Sequence, residues 1–277
     1  MLKAGEDDMI MLPPSGILEI RNNPNFKIVW AKFTYLDTLA FYDLAFPETK
    51  TPFFDVRVRR AASLAINRKA ICENVLHGGA EPWADILAPY NPGYDPNIPL
   101  PEYNPAKARA LLKEAGYPNG FETTINGSPR VKLQTQAIGV NLAEVGIKAK
   151  VQIPEYGLYN TWIKEKKLKG VGIHLNPWWV GQTHPGVALQ STISSTSYWS
   201  YLTDPKADAT LDEVAKLAEE GEIAIKAKEL SKVYRESEIR YALWALHAPF
   251  AIGKRVKNWE PIAGWYYFGA IENLELQ

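Results

Sequence analysis

The sequence predicts an α/β fold in which a mixed, mostly parallel sheet is flanked by helices. Two observations carry that prediction. Between Phe121 and Leu175 short apolar runs alternate with amphipathic ones, and strand–helix alternation over such a length builds a sheet with helical crossovers. Upstream, two stretches carry helix signals at both ends, one from Asp55 to Gly79 and one from Asn104 to Gly116. At 277 residues the chain is long enough for one large domain or two modest ones, each with a sizeable core. Charged residues make up 22% and hydrophobic ones 46%, which argues against wholesale disorder.

In chain order, residues 1–54 hold short apolar runs broken by turn residues. Asp8 to Leu12 predicts a short strand, and Lys27 to Thr34 and Leu36 to Phe46 predict two more, rich in Val, Trp, Phe and Tyr. Asp55 is placed to cap a helix. Val58, Ala61, Ala62, Ala65, Cys72 and Leu76 fall at helical spacings on one buried face, and Gly78-Gly79 supply the stop. The prolines between Glu81 and Pro101 exclude helix and interior strand, so an ordered surface loop is expected there. Asn104 caps the next helix, with Pro105 in its first position and Gly116 at its end. Then come a strand from Phe121 to Ile125, a helix marked by Val131, Ile138, Leu142 and Val145, and a strand from Ile147 to Ile153. A helix over Tyr156 to Lys166, with Trp162 and Ile163 inward, and a strand over Gly170 to Leu175 complete the alternation. Leu211, Val214, Ala215 and Ala218 predict a helix stopped by Gly221. Leu230, Val233, Tyr234, Tyr241 and Trp244 predict another, running to about His247, with an extended stretch from Ala248.

Composition narrows the function classes. Thirty-one basic residues balance 31 acidic ones, so no net field favours nucleic acid or an anionic membrane. No apolar run approaches the ~20 residues of a membrane span, and the first sixteen residues lack a basic and apolar leader. The one cysteine, Cys72, lies on an apolar helix face and reads as a buried structural thiol. Four histidines, at 77, 174, 184 and 247, show no metal-ligand spacing, and phosphate-loop, dinucleotide and nucleophile-elbow motifs are missing. No metal, no cofactor and no enzymatic activity are expected.

The unusual counts are 9 Trp and 14 Tyr, which suit a ligand pocket as well as a core. The richest constellation is Asn176 to Gly186, containing Trp178, Trp179, Gln182 and His184. It follows a strand of the parallel region, where open α/β sheets place ligands. Adjacent tryptophans cannot both face inward from one strand, so one of them meets a ligand, a loop or another part of the fold. Packing of both against neighbouring helices is the alternative. Trp199, between Tyr198 and Tyr201, is a further aromatic candidate.

The wording of three stretches carries a resemblance. These are Asp55-Val56-Arg57-Val58-Arg59 through Asn67-Arg68 to Gly78-Gly79-Ala80, Tyr103-Asn104-Pro105 through Glu114-Ala115-Gly116-Tyr117-Pro118 to Phe121, and Leu142-Ala143-Glu144-Val145-Gly146-Ile147. In order and spacing they resemble the family 5 extracellular solute-binding proteins, the receptors of ABC importers for peptides, nickel and some sugars. The resemblance implies a periplasmic-binding-protein-like (type II) lobe plus part of a second lobe. Residues 1–55 would be the partial first lobe and its crossing segment, 56–247 the second lobe, and 248–277 the return. It implies a receptor that closes on an oligopeptide, sugar or opine-like solute and presents it to a permease, monomeric, periplasmic or extracellular. Met1 would then lie inside a longer protein. Where the family's tryptophan loop carries an aspartate that holds a peptide's ammonium group, this chain has Gly181-Gln182, with His184-Pro185 for an Asp-Pro step. A sugar-like or opine-like ligand is therefore expected over a free peptide. Tyr42 stands where members place a ligand-facing asparagine. The rival readings are an aromatic-lined glycoside hydrolase, which needs two catalytic carboxylates, and a non-transport interaction domain.

Overall fold

The computed structural model describes residues 7–177, 184–197, 200–201, 204–265 and 271–277. The described chain begins with a short strand, β1 (Met9–Met11), and a helix, α1 (Pro14–Ile20). One long strand follows, β2 (Phe26–Phe41), where two were expected. The chain bulges where the two were separated, with Phe33 at φ +58° and a register shift between Ala31 and Tyr35. Tyr42–Ala45 is a single 3₁₀ turn, not strand.

The stretch after Asp55 also departs from expectation, as two helices replace one. Asp55 accepts a hydrogen bond from the Arg57 N–H and starts α2 (Val56–Ala65). The backbone turns extended at Ile66, and Asn67 caps α3 (Arg68–Asn74) by accepting from the Ala70 N–H at 3.0 Å. The apolar spacing survives the break because both helices pack on one core, which includes a buried Cys72. Asn67→Ala is expected to cost about 1 kcal/mol by removing that cap. Urea unfolding measures it, and an unchanged midpoint would show that the break does not depend on the cap.

The proline-rich loop starts with β3 (Ala80–Pro82) and then turns inward, burying Trp83, Ile86, Leu87 and Ala88. Then α4 (Pro105–Glu114), β4 (Phe121–Asn126), α5 (Lys132–Glu144), β5 (Ile147–Gln152), α6 (Tyr156–Lys164) and β6 (Val171–Pro177) follow the predicted alternation. In α6, Ile163 is buried and Trp162 half-buried.

Three helices come next, α7 (Pro185–Ile193), α8 (Pro205–Ala215) and α9 (Glu220–Ser237), so Gly221 belongs to the first turn of α9 and does not stop α8. The helix expected to reach His247 ends at Ser237, and Tyr241 and Trp244 lie on a strand, β7 (Arg240–Gly253). The reversal occurs at Glu238, in the left-handed region at φ +49°. Its carboxylate accepts two 2.6 Å hydrogen bonds from Arg60, and its carbonyl accepts one from Arg59. Because β7 is buried on both faces, it lacks the alternation that marks a half-exposed strand. The chain ends with the short pair β8 (Val256–Asn258) and β9 (Glu275–Leu276).

The main sheet runs β1-β7-β2-β6-β4-β5, with β3 also paired to β7. It is mixed, as expected, but its parallel part is confined to β6, β4 and β5; the β1–β7, β7–β2, β2–β6 and β3–β7 pairs are antiparallel. The long β2–β7 ladder is the source of that difference. Helices α2 to α5 pack on one face, around Leu39, Phe41 and Trp244, and α7 to α9 on the other, around Leu36 and Trp83. Beyond the bulge, the far ends of β2 and β7 have separate small cores with β1, α1 and Trp259. The division expected after His247 falls inside β7.

Candidate functional site

Where β2 and β7 lose register, a cleft of about 620 Å³ opens. One wall is the β1–α1 end, with Met11, Leu12 and Ile17. The opposite wall is the segment from Pro129 to Gln134 at the start of α5, and Thr34, Tyr35, Leu246 and His247 form the floor between them. The cleft therefore spans the two sides of the bulge. Its walls are mainly apolar, with a few polar groups at fixed positions, the usual build of a small-molecule site.

Arg130 supplies the charge. It lies in the short 3₁₀ turn Pro129–Val131 between β4 and α5, and its guanidinium lies 4.5 Å from the centre of the Tyr35 ring. The ring face attracts the cation and orients the fork, while Arg130 as a whole remains exposed. Gln134, one turn further on, is 7% exposed. The floor is held by Thr34, whose hydroxyl donates to the Leu246 carbonyl at 3.0 Å, and by His247. The Nδ1 of His247 accepts the Phe33 N–H at 3.1 Å, which puts the proton on Nε2, 3.4 Å from a Glu81 carboxylate oxygen. Burial pushes His247 down to about 4, so its ring is neutral near pH 7. Among the described lining residues none is Asp or Glu.

Pro177 at the end of β6 pairs with Tyr35. The described part of β6 thus ends beside the floor of the cleft. Trp178, Trp179, Gln182 and Trp199 lie outside the described residues. His184 lies within them and has a structural task. It caps α7, with Nδ1 accepting from the Gly186 N–H at 3.1 Å and Nε2 donating to the Leu217 carbonyl at 3.0 Å. Both ring nitrogens are thereby occupied. Tyr42 is fully buried, its ring 4.7 Å from that of Tyr201 and its cluster completed by Tyr159, Ile163 and Leu168. Burial raises its phenol well above the ordinary value. Tyr42 was expected to face a ligand; here its ring packs inside that aromatic cluster.

Tyr35, Arg130, Gln134 and His247 were not singled out from sequence. A signal for Arg130 existed: the turn after β4 lies at the carboxyl end of a parallel strand, and the rule that drew attention to Trp178 applies there equally. Tyr35 and His247 had none, because the β2–β7 register that joins them spans over 200 residues of sequence. Among the described residues, no helix is long and apolar enough to cross a membrane. No three His, Cys, Asp or Glu side chains among them gather to hold a metal ion.

Comparison with known proteins agrees with this architecture. The family model for bacterial extracellular solute-binding proteins, family 5 middle, matches residues 1–200. Heme-binding protein A of Haemophilus influenzae is 29% identical over 251 residues, covering 86% of this chain and 43% of that protein. Di/tripeptide-binding protein 1 of Pseudomonas aeruginosa is 32% identical over 169 residues, covering 57% of this chain and 30% of that protein. Among solved structures, the ABC transporter substrate-binding protein CtaP of Listeria monocytogenes superposes with a TM-score of 0.83 at 16% identity. The superposition covers 99% of this chain and 57% of CtaP. The chain thus spans less than half the length of these two curated relatives, and its fold is that of a periplasmic binding protein. On the match to more than half of its length, the chain belongs to the bacterial extracellular solute-binding proteins of family 5.

Proposed function

We propose that the chain forms part of the receptor of an ABC import system, which captures a small carboxylate-bearing solute in the Arg130 cleft and passes it to a permease. The observation that carries this reading is the cleft itself, bounded by structure on both sides of the β2–β7 bulge and carrying a guanidinium but no described carboxylate. Its volume of about 620 Å³ suits a solute of a few hundred daltons. Such a receptor works outside the cytoplasm, as a monomer, and needs neither a cofactor nor a reaction. The relatives' names cover heme and short peptides, so the chemistry of the cleft has to narrow the ligand. A planar fork over Tyr35 favours a carboxylate, bound through two parallel hydrogen bonds. Gly181-Gln182, where a peptide receptor's aspartate would stand, gives no counter-ion for a free ammonium group. An opine-like solute, with carboxylate and hydroxyl groups, meets both conditions. Trp178, Trp179, Gln182 and Trp199 are its proposed partners on the loop side, while Tyr42 and His184 act as internal supports.

Tryptophan fluorescence of the protein, titrated with opines, neutral sugars, dipeptides and nickel–histidine, tests the reading. The expected result is a saturable change with carboxylate-bearing, amine-blocked solutes that are recovered unaltered. Tighter binding of a dipeptide with a free amine, or hydrolysis of a glycoside, would overturn it.

A further inference from the structure

We propose that Asp37 is an internal proton acceptor coupled to the cleft, taking up one proton from solvent when an anion pairs with Arg130. The inference rests on the reading of the cleft as an anion site, and its evidence lies beneath the floor. Asp37 is fully buried on β2, two residues along from Tyr35, so both side chains leave the same face of the strand. Its Oδ2 accepts a 2.7 Å hydrogen bond from the indole N–H of Trp244, directly opposite on β7. Among the described residues its Oδ1 has no hydrogen-bond partner. One donor is a thin shell for a buried carboxylate, which ordinarily needs several donors or a paired cation to stay ionised. The register of the two strands shifts again between Asp37 and Thr38, so the group sits at an irregularity of the ladder that joins the two sides of the cleft.

Among the described titratable groups that interact electrostatically with Asp37, one is charged near pH 7. From α3 comes the Cys72 thiol, pushed up to about 12 by burial, and from α6 the Tyr159 phenol, also pushed up to about 12; both are neutral near pH 7. Trp244 on β7 is neutral. Arg130, on the turn before α5, is the cation among the described residues whose field favours the Asp37 carboxylate. Burial nonetheless dominates and pushes this carboxyl up to about 7.

The charge balance then dictates the coupling. With the cleft empty, Arg130 and an ionised Asp37 sum to zero. An anion on Arg130 offsets the cation whose field favours the Asp37 carboxylate, and the set returns to zero when Asp37 binds a proton. By linkage, acidification through the neutral range tightens anion binding, and anion binding raises the proton affinity of Asp37 by the same factor.

The test needs no solute, so its failure is distinct from failure of the receptor reading. The carboxyl carbon of Asp37, assigned through its backbone correlations in ¹³C-labelled protein, is titrated by NMR in the wild type, Arg130→Gln and Arg130→Lys. Arg130→Gln reproduces the discharge that a bound anion causes, and its exposed site keeps the fold intact. A wild-type midpoint near neutrality, a rise of ~1 pH unit in Arg130→Gln, and a near wild-type value in Arg130→Lys are expected. A midpoint in the ordinary carboxylate range, or one indifferent to Arg130→Gln, would overturn the proposal.

Discussion

Asp37→Asn is expected to flatten the pH dependence of stability between about pH 4 and pH 7. Burial pushes the Asp37 carboxyl from 3.8 up to about 7 in the fold. Across that window the native state still holds a proton that the unfolded chain has released. Native stability from this group is therefore full below about pH 4 and lost progressively as pH climbs through 7. A shift of this size corresponds to on the order of 2–4 kcal/mol, at about 1.4 kcal/mol per unit with allowance for relaxation around the charge. His174 and His247 act in the opposite sense. Burial depresses both, so their contribution is lost as pH falls below the ordinary histidine value. The wild-type profile is the sum of these opposed slopes, and the asparagine variant removes only the first. Urea unfolding followed by circular dichroism at pH 5 and pH 8 gives the comparison. The variant should gain stability relative to the wild type on going to pH 8. Parallel profiles would show that Asp37 does not titrate in this range.

Arg130→Ala is expected to weaken capture of a carboxylate-bearing solute by about 10- to 150-fold. A hydrogen bond to a charged group contributes roughly 1.5–3 kcal/mol. Arg130→Lys should recover only part of the loss, because an ammonium cannot reproduce the paired donors of the fork or its stacking on Tyr35. Stability should change by less than ~1 kcal/mol, since the residue is exposed. Calorimetric titration with an opine bearing one carboxylate separates the two effects. Equal affinity in the wild type and the alanine variant would remove Arg130 from the site.

Much of the fold is local and was therefore legible in order of residues. Asp55, Asn104 and Pro105 start helices where their capping chemistry dictates, and β4, α5, β5, α6 and β6 follow the change of apolar period. The misread elements share one cause. A helix and a strand buried on both faces carry similar apolar runs, so Tyr241 and Trp244 fitted a helix until the reversal at Glu238, tied to Arg60 across the fold, made them strand. The break at Asn67 was hidden in the same way, because α2 and α3 share a core and so preserve one spacing.

The site divides along the same line. The aromatic segment after β6 announces itself by composition, and family wording is equally a property of the linear chain. Arg130 over Tyr35, and Asp37 against Trp244, exist only after β2 and β7 have paired, and burial then decides their charge states. The helix starts, the alternating α/β region and the kinship of this chain are written in the order of its residues, because caps, periods and motif wording act over a few residues. Which face became a cleft depended on packing, because the register between strands about 200 residues apart forms only when they meet.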